Sequence, residues 1–223
     1  MSLSKSDLLS FSHCAKRFYL DKNHRDLGEP PTFKSVQTLI QGQNVGKLAQ
    51  TVIGGELIPA PFGDVDQAAG RTQDFLQEGH ERLLEATFVF DDLMCRVDGL
   101  VKVGDAYKII EVKSSTKVKP EHLLDAAFQY QVVSQSGTPV SNVELMHINP
   151  DYVLEEGGPD YDQAFAAEDV TQEVLDLQGE IASLISEMES VMQQEAAPDV
   201  ATNVYCRSPK CPFYNHCHQP VQP

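Results

Sequence analysis

The sequence predicts an α/β fold, because the hydrophobic pattern changes twice along its 223 residues. Helical patterns fill the first third, strand-like segments joined by tight turns follow, and helices with one further strand come last. A helix that follows an antiparallel meander can cover one face of the resulting sheet. We therefore expect a single domain over residues 1–223, with a core at about 33–150 and additions at both ends.

Three helices are predicted before the first strand. Residues 4–21 begin with serines that can cap a helix, and they carry an apolar side. Residues 33–52 form the second helix, and the glycines at 54 and 55 end it, since glycine readily adopts the left-handed conformation found after helices. The third helix covers residues 65–79 and is closed by Gly79.

The middle of the chain predicts a meander of three strands. Apolar and polar residues alternate in each strand, and a Gly-Asp pair between the second and third strands suits a two-residue hairpin turn. A helix, a fourth strand, an irregular stretch and a long acidic helix follow. The predicted strands are 84–90, 93–103, 106–113 and 141–149; the helices are 120–135 and 170–196; 150–167 is irregular and the tail from Pro198 is loop.

Composition and charge exclude several classes of protein. Lysine and arginine number 17 against 33 aspartates and glutamates, for a net charge of −16. A protein that coats nucleic acid with its whole surface is basic, so that role is excluded, although a small local basic site is not. The sequence has no apolar run long enough for a membrane span and no apolar N-terminal signal segment, so we expect a cytoplasmic location.

The second and third strands carry charged residues where strands usually avoid them. Symmetric pairing around the Gly104-Asp105 turn places Asp98 directly opposite Glu111. Lys113 is two residues after Glu111 and therefore points to the same face of the sheet. One face of the hairpin should thus present two carboxylates and an ammonium group.

Two interpretations of this charged face remain open. Side-by-side carboxylates repel each other, and a hard divalent cation such as Mg²⁺ removes the conflict while activating water and neutralising a phosphodiester. Lys113 could then hold the water or the developing charge on the phosphate. The alternative is an exposed hairpin whose acids and lysine are simply solvated.

Gln129 and Tyr130 lie on the helix that follows the hairpin. A helix that crosses back over the sheet can bring an amide and a phenol to the charged face. The alternative is a surface glutamine and a core-facing tyrosine, since tyrosine is often half-buried.

These residues resemble the motifs of the PD-(D/E)XK nucleases: Asp98, the triplet Glu111-Val112-Lys113, and the pair Gln129-Tyr130. The similarity is to the RecB-like branch, with its CRISPR-associated iron–sulfur exonucleases and an uncharacterised bacterial RecB-like family. It covers nearly the whole chain, from residues 14–20 to the C-terminal cysteines. The resemblance implies a restriction-endonuclease-like mixed sheet flanked by helices, and phosphodiester hydrolysis with Mg²⁺ or Mn²⁺ held by Asp98 and Glu111. Lys113, Gln129 and Tyr130 would serve catalysis.

One motif of the family is missing. Many RecB-like nucleases carry a metal-binding histidine in the helix before the sheet, and the equivalent stretch here, residues 41–48, has Gly46 in its place. The absence of this ligand predicts weaker metal binding, although two carboxylates can suffice for Mg²⁺. Glu85 corresponds to an acidic residue of relatives and is expected to contact the metal ligands without binding the ion itself.

Four of the five cysteines form a pattern typical of a metal centre. Cys206, Cys211 and Cys217 lie close together near the C-terminus, and Cys14 lies near the N-terminus. Zinc and an iron–sulfur cluster are both compatible with four thiolates. The resemblance implies a 4Fe–4S cluster that joins the two terminal segments, at about 4–21 and 198–218. Cys95 is expected to be a small buried apolar residue.

The function expected from these features is metal-dependent DNA cleavage, exonuclease-like, at single-stranded regions or ends. Lys113, Lys117 and Lys119 would provide a small basic edge for the DNA backbone. The alternative is a catalytically weak or inactive nucleic-acid-binding or scaffold subunit of a DNA repair or processing complex. In that case the acidic helix 170–196 could contact a protein partner, although amphipathic helices usually pack on their own core.

Overall fold

The computed structural model describes residues 2–59, 64–153, 159–206 and 211–218. The chain divides into two compact units. The first, here called the sheet unit, comprises Met1–Lys5 and Gln41–Gly179. The second, the cysteine unit, comprises Ser6–Ile40 and Glu180–Pro223. None of the helices in the described ranges is long and apolar enough to cross a membrane.

Seven strands of the described residues form one sheet, whereas four were predicted, and the sheet is mixed as expected. The order is β2-β3-β4-β5-β6-β7, and β1 also pairs with β4. Strands β3–β4, β4–β5 and β6–β7 are antiparallel, whereas β1–β4, β2–β3 and β5–β6 are parallel. The strands are β1 Leu3–Ser4, β2 Glu56–Leu57, β3 Arg82–Phe90, β4 Leu93–Val103, β5 Ala106–Lys113, β6 Val140–Ile148 and β7 Phe165–Asp169.

The predicted meander is confirmed, and strands β4 and β5 have the predicted bounds. Positive φ values at Asp91 (50°) and Gly104 (61°) mark the two turns. Strand β7 was missed, because residues 150–167 were predicted to be irregular. Its sequence, Phe-Ala-Ala-Glu-Asp, has little intrinsic strand preference, so its conformation depends on pairing with β6. The two-residue strands β1 and β2 were missed for the same reason.

Helices cover both faces of the sheet, which confirms the predicted layering. Helix α5 contacts β3 to β6 on the face that carries Glu111. On the other face, Ala49 and Ile53 of α3 pack with Leu84 and Ile110. The helices that lie wholly or largely in this unit are α3 Phe33–Ile53, which begins in the cysteine unit, α4 Val65–Gln77, α5 Pro120–Gln135 and α6 Thr171–Asp176.

The cysteine unit is mainly helical, and two helix predictions need correction there. The predicted helix 4–21 is two helices, since Cys14 between them has an extended backbone and caps the second helix with its sulfur. The predicted helix 170–196 is also two, α6 and α7, with Leu177 between them. The helices that lie wholly or largely in this unit are α1 Lys5–His13, α2 Ala15–Asn23, α7 Gln178–Met192 and α8 Tyr214–His218, with a 3-10 turn at Arg25–Leu27.

Candidate active site

The β4–β5 hairpin brings Asp98 and Glu111 together on one face of the sheet. The observed pairs run from Val103↔Ala106 to Gly99↔Ile110, which is the predicted register, and the next residues in line are Asp98 and Glu111. Asp98 Oδ2 accepts a hydrogen bond of 2.7 Å from the backbone N–H of Val112. The hairpin geometry expected from the sequence is therefore present.

Glu111 is the most heavily hydrogen-bonded carboxylate of this face. It is only 2 % exposed. Lys113 Nζ donates to its Oε1 at 2.7 Å, and Gln129 Nε2 donates to its Oε2 at 2.8 Å. Because Gln129 is fully buried and contacts Glu111, the alternative of a surface glutamine is wrong. The helix after the hairpin does cross back over the charged face.

Asp125 belongs to the same group, although sequence reasoning did not select it. Lys113 Nζ donates to Asp125 Oδ2, and Gln129 Nε2 lies 3.2 Å from Asp125 Oδ1. Asp125 is 3 % exposed and lies one turn before Gln129 on α5. That spacing of four residues was the available signal, because residues i and i+4 share a helix face.

Lys5 completes the group from the start of the chain. Its Nζ lies 2.9 Å from Glu111 Oε1, 3.1 Å from Glu111 Oε2 and 3.9 Å from Asp125 Oδ1. No local sequence signal pointed to Lys5, since its position depends on pairing between β1 and β4. We call this set the carboxylate cluster: Lys5, Asp98, Glu111, Lys113, Asp125 and Gln129.

Glu85 lies beside the cluster on β3. The pairs Leu84↔Gly99 and Ala86↔Val97 place it opposite Asp98. Its φ of 57° is unusual for a residue other than glycine, and its Oε1 accepts a 2.9 Å hydrogen bond from Gln50 Nε2 on α3. A strained backbone of this kind is often found at functional sites.

The other predicted residues are less closely associated with the cluster. Tyr130 is half-buried, and its hydroxyl makes no hydrogen bond to the cluster within the described ranges. Lys117 and Lys119 lie on the loop between β5 and α5, where Lys117 is exposed and Lys119 is 3.8 Å from Glu121. The sequence prediction for Tyr130 therefore has no hydrogen bond to support it.

The three carboxyl groups of the cluster differ in the direction in which their surroundings shift the pKa. Burial, and then the neighbouring Glu111 charge, raises the pKa of Asp98 well above its usual value, and Glu85 adds to this effect. The pKa of Asp125 is raised by the same two causes. For Glu111, burial is outweighed by Lys5 and Lys113, so its pKa is lowered. The ionised form of Glu111 is thus well compensated, whereas the ionised form of Asp98 is disfavoured.

The donor chemistry of the cluster fits a hard divalent cation, but its arrangement is not a ready-made metal site. Asp98 and Glu111 supply the oxygens that Mg²⁺ prefers, and Gln129 Oε1 is a buried acceptor without a hydrogen-bond partner among the described residues. However, no group of three or more His, Cys, Asp or Glu in the described ranges is placed to hold a metal. The oxygens of Glu111 are instead engaged by the two lysines.

The four selected cysteines lie within the cysteine unit, close enough to interact electrostatically. Burial, and then neighbouring thiols, raises the pKa of Cys211 and of Cys217, and Cys14 and Cys206 contribute to both shifts. Four thiols suit zinc or an iron–sulfur cluster chemically. Among the residues that the structure describes, however, they do not form a preformed ligand group, so the predicted cluster is not shown. Cys95 is 1 % exposed, as expected for an apolar residue.

Comparison with known proteins supports the fold alone. No family model and no curated protein matches the chain. Among solved structures, the chain is similar to the one described as the crystal structure of SSO0001, with a TM-score of 0.51. The two sequences are 15 % identical, and the alignment covers 95 % of this chain and 83 % of that one. The similarity shows a mixed α/β fold with a mixed central sheet flanked by helices.

Proposed function

We propose that the chain is a metal-dependent DNA nuclease that hydrolyses phosphodiester bonds, exonuclease-like, at single-stranded regions or ends. The observation that carries the proposal is the hairpin register, which places Asp98 and Glu111 on one face with the Lys113 ammonium 2.7 Å from Glu111. A buried glutamate, a half-buried aspartate and a lysine on one sheet face are costly to fold, because their charges are partly removed from water. Such an energetic cost is typical of a catalytic or ligand-binding site.

Asp98 and Glu111 would hold the divalent cation. When bound, the ion would supply a Lewis acid that stabilises charge on the phosphodiester. Asp98 favours a bound cation, because no lysine or arginine within the described residues forms an ion pair with its carboxylate. Asp125 orients Lys113 and Gln129, since it accepts hydrogen bonds from both.

Lys113 is the group that would act on the reacting atoms. Its ammonium lies between Glu111 and Asp125, and these two carboxylates keep its pKa raised despite burial. It therefore stays protonated and can hold the attacking water or the charge that develops on the phosphate. Gln129 fixes Glu111 Oε2 and leaves its own Oε1 free to accept from water. Tyr130 remains a candidate for a contact with substrate.

DNA would approach through the loop that carries Lys117 and Lys119. With a net charge of −16, the rest of the protein repels the phosphate backbone. Binding confined to few lysines should be weak and should fall steeply with salt. Single-stranded regions or ends fit such a small contact better than a long duplex does.

The test is degradation of end-labelled single- and double-stranded DNA with Mg²⁺ or Mn²⁺. Glu111→Gln should abolish cleavage, because it removes the charge of one of the two metal ligands. Glu144→Gln is the matched control, since Glu144 is ion-paired with Lys108 on the same sheet and lies outside the cluster. Equal cleavage by wild type and Glu111→Gln would identify a contaminating nuclease and reject the proposal.

A second candidate function is a nucleic-acid-binding or scaffold subunit with little or no turnover. It is favoured by the occupation of both Glu111 oxygens by lysine and amide donors, and by the missing histidine at Gly46. Such a subunit should bind single-stranded DNA with a salt-dependent affinity, yet leave the labelled strand intact in Mn²⁺. The same assay therefore separates the two functions.

We further infer that Cys14, Cys206, Cys211 and Cys217 hold a 4Fe–4S cluster, with Zn²⁺ as the alternative. The support is that their thiols lie within one compact unit, close enough to interact electrostatically. The metal would bind the N-terminal and C-terminal segments of the cysteine unit together. Its role in this proposal is structural.

A further inference from the structure

Lys5 is held at the carboxylate cluster by the sheet itself. On β4, residues Leu93 and Met94 pair with β3 on one edge and with β1 on the other. Strand β5 pairs with β4 only from Val103 to Gly99, so β1 occupies the part of that edge that β5 leaves open. Lys5 follows directly after β1 and is thereby placed beside Glu111.

The Lys5 ammonium group occupies the position of a chelated cation. It lies at hydrogen-bond distance from both oxygens of Glu111, at 2.9 and 3.1 Å, with Asp125 Oδ1 at 3.9 Å. Each Glu111 oxygen also accepts from a second donor, Lys113 or Gln129. An ion that approaches Glu111 on the Lys5 side would therefore need the lone pairs that Lys5 uses.

We propose that Lys5 is a tethered competitor of the divalent cation, which holds both oxygens of Glu111 until the ion binds and then withdraws from them. The inference rests on the proposed function and adds a control of metal loading by a residue outside the recognised motifs. Exchange is favoured by charge, because a divalent ion brings one more positive charge to Asp98 and Glu85. Within the described residues neither of these carboxylates has a cationic ion-pair partner.

Lys5 is also free to move, whereas Lys113 is not. The Lys5 side chain is 26 % exposed, and its backbone is attached to the sheet by a strand of two residues. Its four-carbon stem can carry the ammonium toward Asp125 or solvent without a change in the fold. Lys113 is less exposed, at 16 %, and bonds to both Glu111 and Asp125. Metal binding should therefore displace Lys5 and leave Lys113 in place.

The test is a titration of the full chain with Mn²⁺ in the absence of DNA. Electron paramagnetic resonance measures the concentration of free Mn²⁺ at each step. Lys5→Met should bind Mn²⁺ about tenfold more tightly than wild type, because the competing charge is gone. Lys5→Arg, which retains the charge, should show no such gain. Lys108→Met is the matched control, since it removes a lysine from the Glu144 ion pair on the same sheet. Equal or weaker Mn²⁺ binding by Lys5→Met overturns the inference.

A measurement on wild type keeps the inference testable if Lys5→Met folds poorly. In wild-type crystals soaked in Mn²⁺, the anomalous peak should lie at Glu111, with Lys5 Nζ beyond hydrogen-bond distance of both oxygens. An ion at Glu111 with Lys5 still in place overturns the inference alone. If neither wild type nor Lys5→Met binds Mn²⁺ in a manner that Glu111→Gln abolishes, the inference and the metal-dependent nuclease are rejected together.

Discussion

Among the residues of the carboxylate cluster, Asp98 contributes most to the free-energy cost of folding. Its Oδ2 accepts one backbone hydrogen bond, from Val112, but in the described ranges no cation pairs with it. Burial and the charge of Glu111 both disfavour its ionised form. An ionised Asp98 is therefore destabilising in the metal-free protein, and this is the charge that a divalent ion would relieve.

Asp98→Asn should raise the melting temperature at pH 7 by ~2–4 °C, the shift that about 1 kcal/mol gives in a chain of this size. The pKa of Asp98 is raised in the fold, so its ionised form costs stability at higher pH, and this cost disappears as the pH falls and the group is protonated. The gain should thus shrink toward pH 4. Thermal melts without metal from pH 4 to 8 measure it. A lower melting temperature for Asp98→Asn at pH 7 would contradict the assignment, and Glu144→Gln is the control.

Residues of the site were predictable where their placement is local. Asp98, Glu111 and Lys113 follow from one hairpin turn and the two-residue period of a strand, and Gln129 follows from the next helix. Lys5 could not be found, because its position depends on β1 pairing with a strand that lies 90 residues later, as in the pair Leu3↔Leu93. Asp125 was within reach of the same helical spacing and was overlooked.

At the scale of elements, α3 carries Gly46, where the RecB-like nucleases that the sequence resembles have a metal-binding histidine. Gly46 lies one turn before Gln50, whose amide hydrogen-bonds to Glu85 beside Asp98. A Cβ atom added at Gly46 would meet nothing within 4 Å, so a larger side chain is sterically allowed there. Gln50 thus links α3 to the Glu85 carboxylate, and Gly46 lies one turn of helix from that link.

Gly46→His should tighten Mn²⁺ binding by about tenfold, because it adds an imidazole ligand one turn from Gln50, which hydrogen-bonds to Glu85. It should also stabilise α3, since glycine inside a helix is unfavourable. Calorimetric titration with Mn²⁺ measures the affinity. Gly70→His on α4 is the matched control, because its Cβ also meets nothing within 4 Å. Equal affinities for Gly46→His and Gly70→His would show that α3 does not direct this position to the cluster.

Helix α5 makes a separate prediction through His122 in its first turn. Burial, and then the charge of Lys113, lowers the pKa of His122 to about 4. The folded state therefore resists protonation, so the stability that His122 contributes is complete above pH 6.5 and is lost as the pH falls toward 4. Between pH 6.5 and 4.5, wild type should lose more thermal stability than His122→Gln. An NMR titration of His122 with a midpoint near 6.5 would contradict this prediction.

The elements themselves were predicted best where the pattern is regular and worst where tertiary contacts decide. Strands β4 and β5 and helix α5 have the expected bounds, because alternation, turn residues and Pro120 mark them locally. The break at Cys14 was missed, since the apolar spacing continues through α1 and α2 while the backbone at Cys14 is extended. Strand β7 forms against β6 from residues that favour no particular structure.

At the scale of the whole molecule, the cysteine unit is assembled from both ends of the chain, with the sheet unit between them in sequence. Asn203 Nδ2 donates to the carbonyl of His13 at 2.9 Å, and the N–H of Glu29 donates to the carbonyl of Pro212 at 2.7 Å. The rings of His13 and Tyr205 stack at 3.9 Å. These contacts join the two terminal segments, and a bound metal would close the long loop between them.

A metal bound by the four cysteines should therefore be a major part of the stability of this unit. Anaerobically purified protein should be brown and contain iron and sulfide; a colourless protein with stoichiometric zinc would replace the cluster by a zinc site. Cys14→Ser and Cys211→Ser should each release most of the metal and lower the melting temperature by at least ~5 °C, because each removes a ligand that joins distant segments. Cys95→Ser is the matched control, since Cys95 is buried in the sheet unit and should keep the metal. Full metal content in Cys14→Ser would show that the N-terminal segment takes no part in the centre.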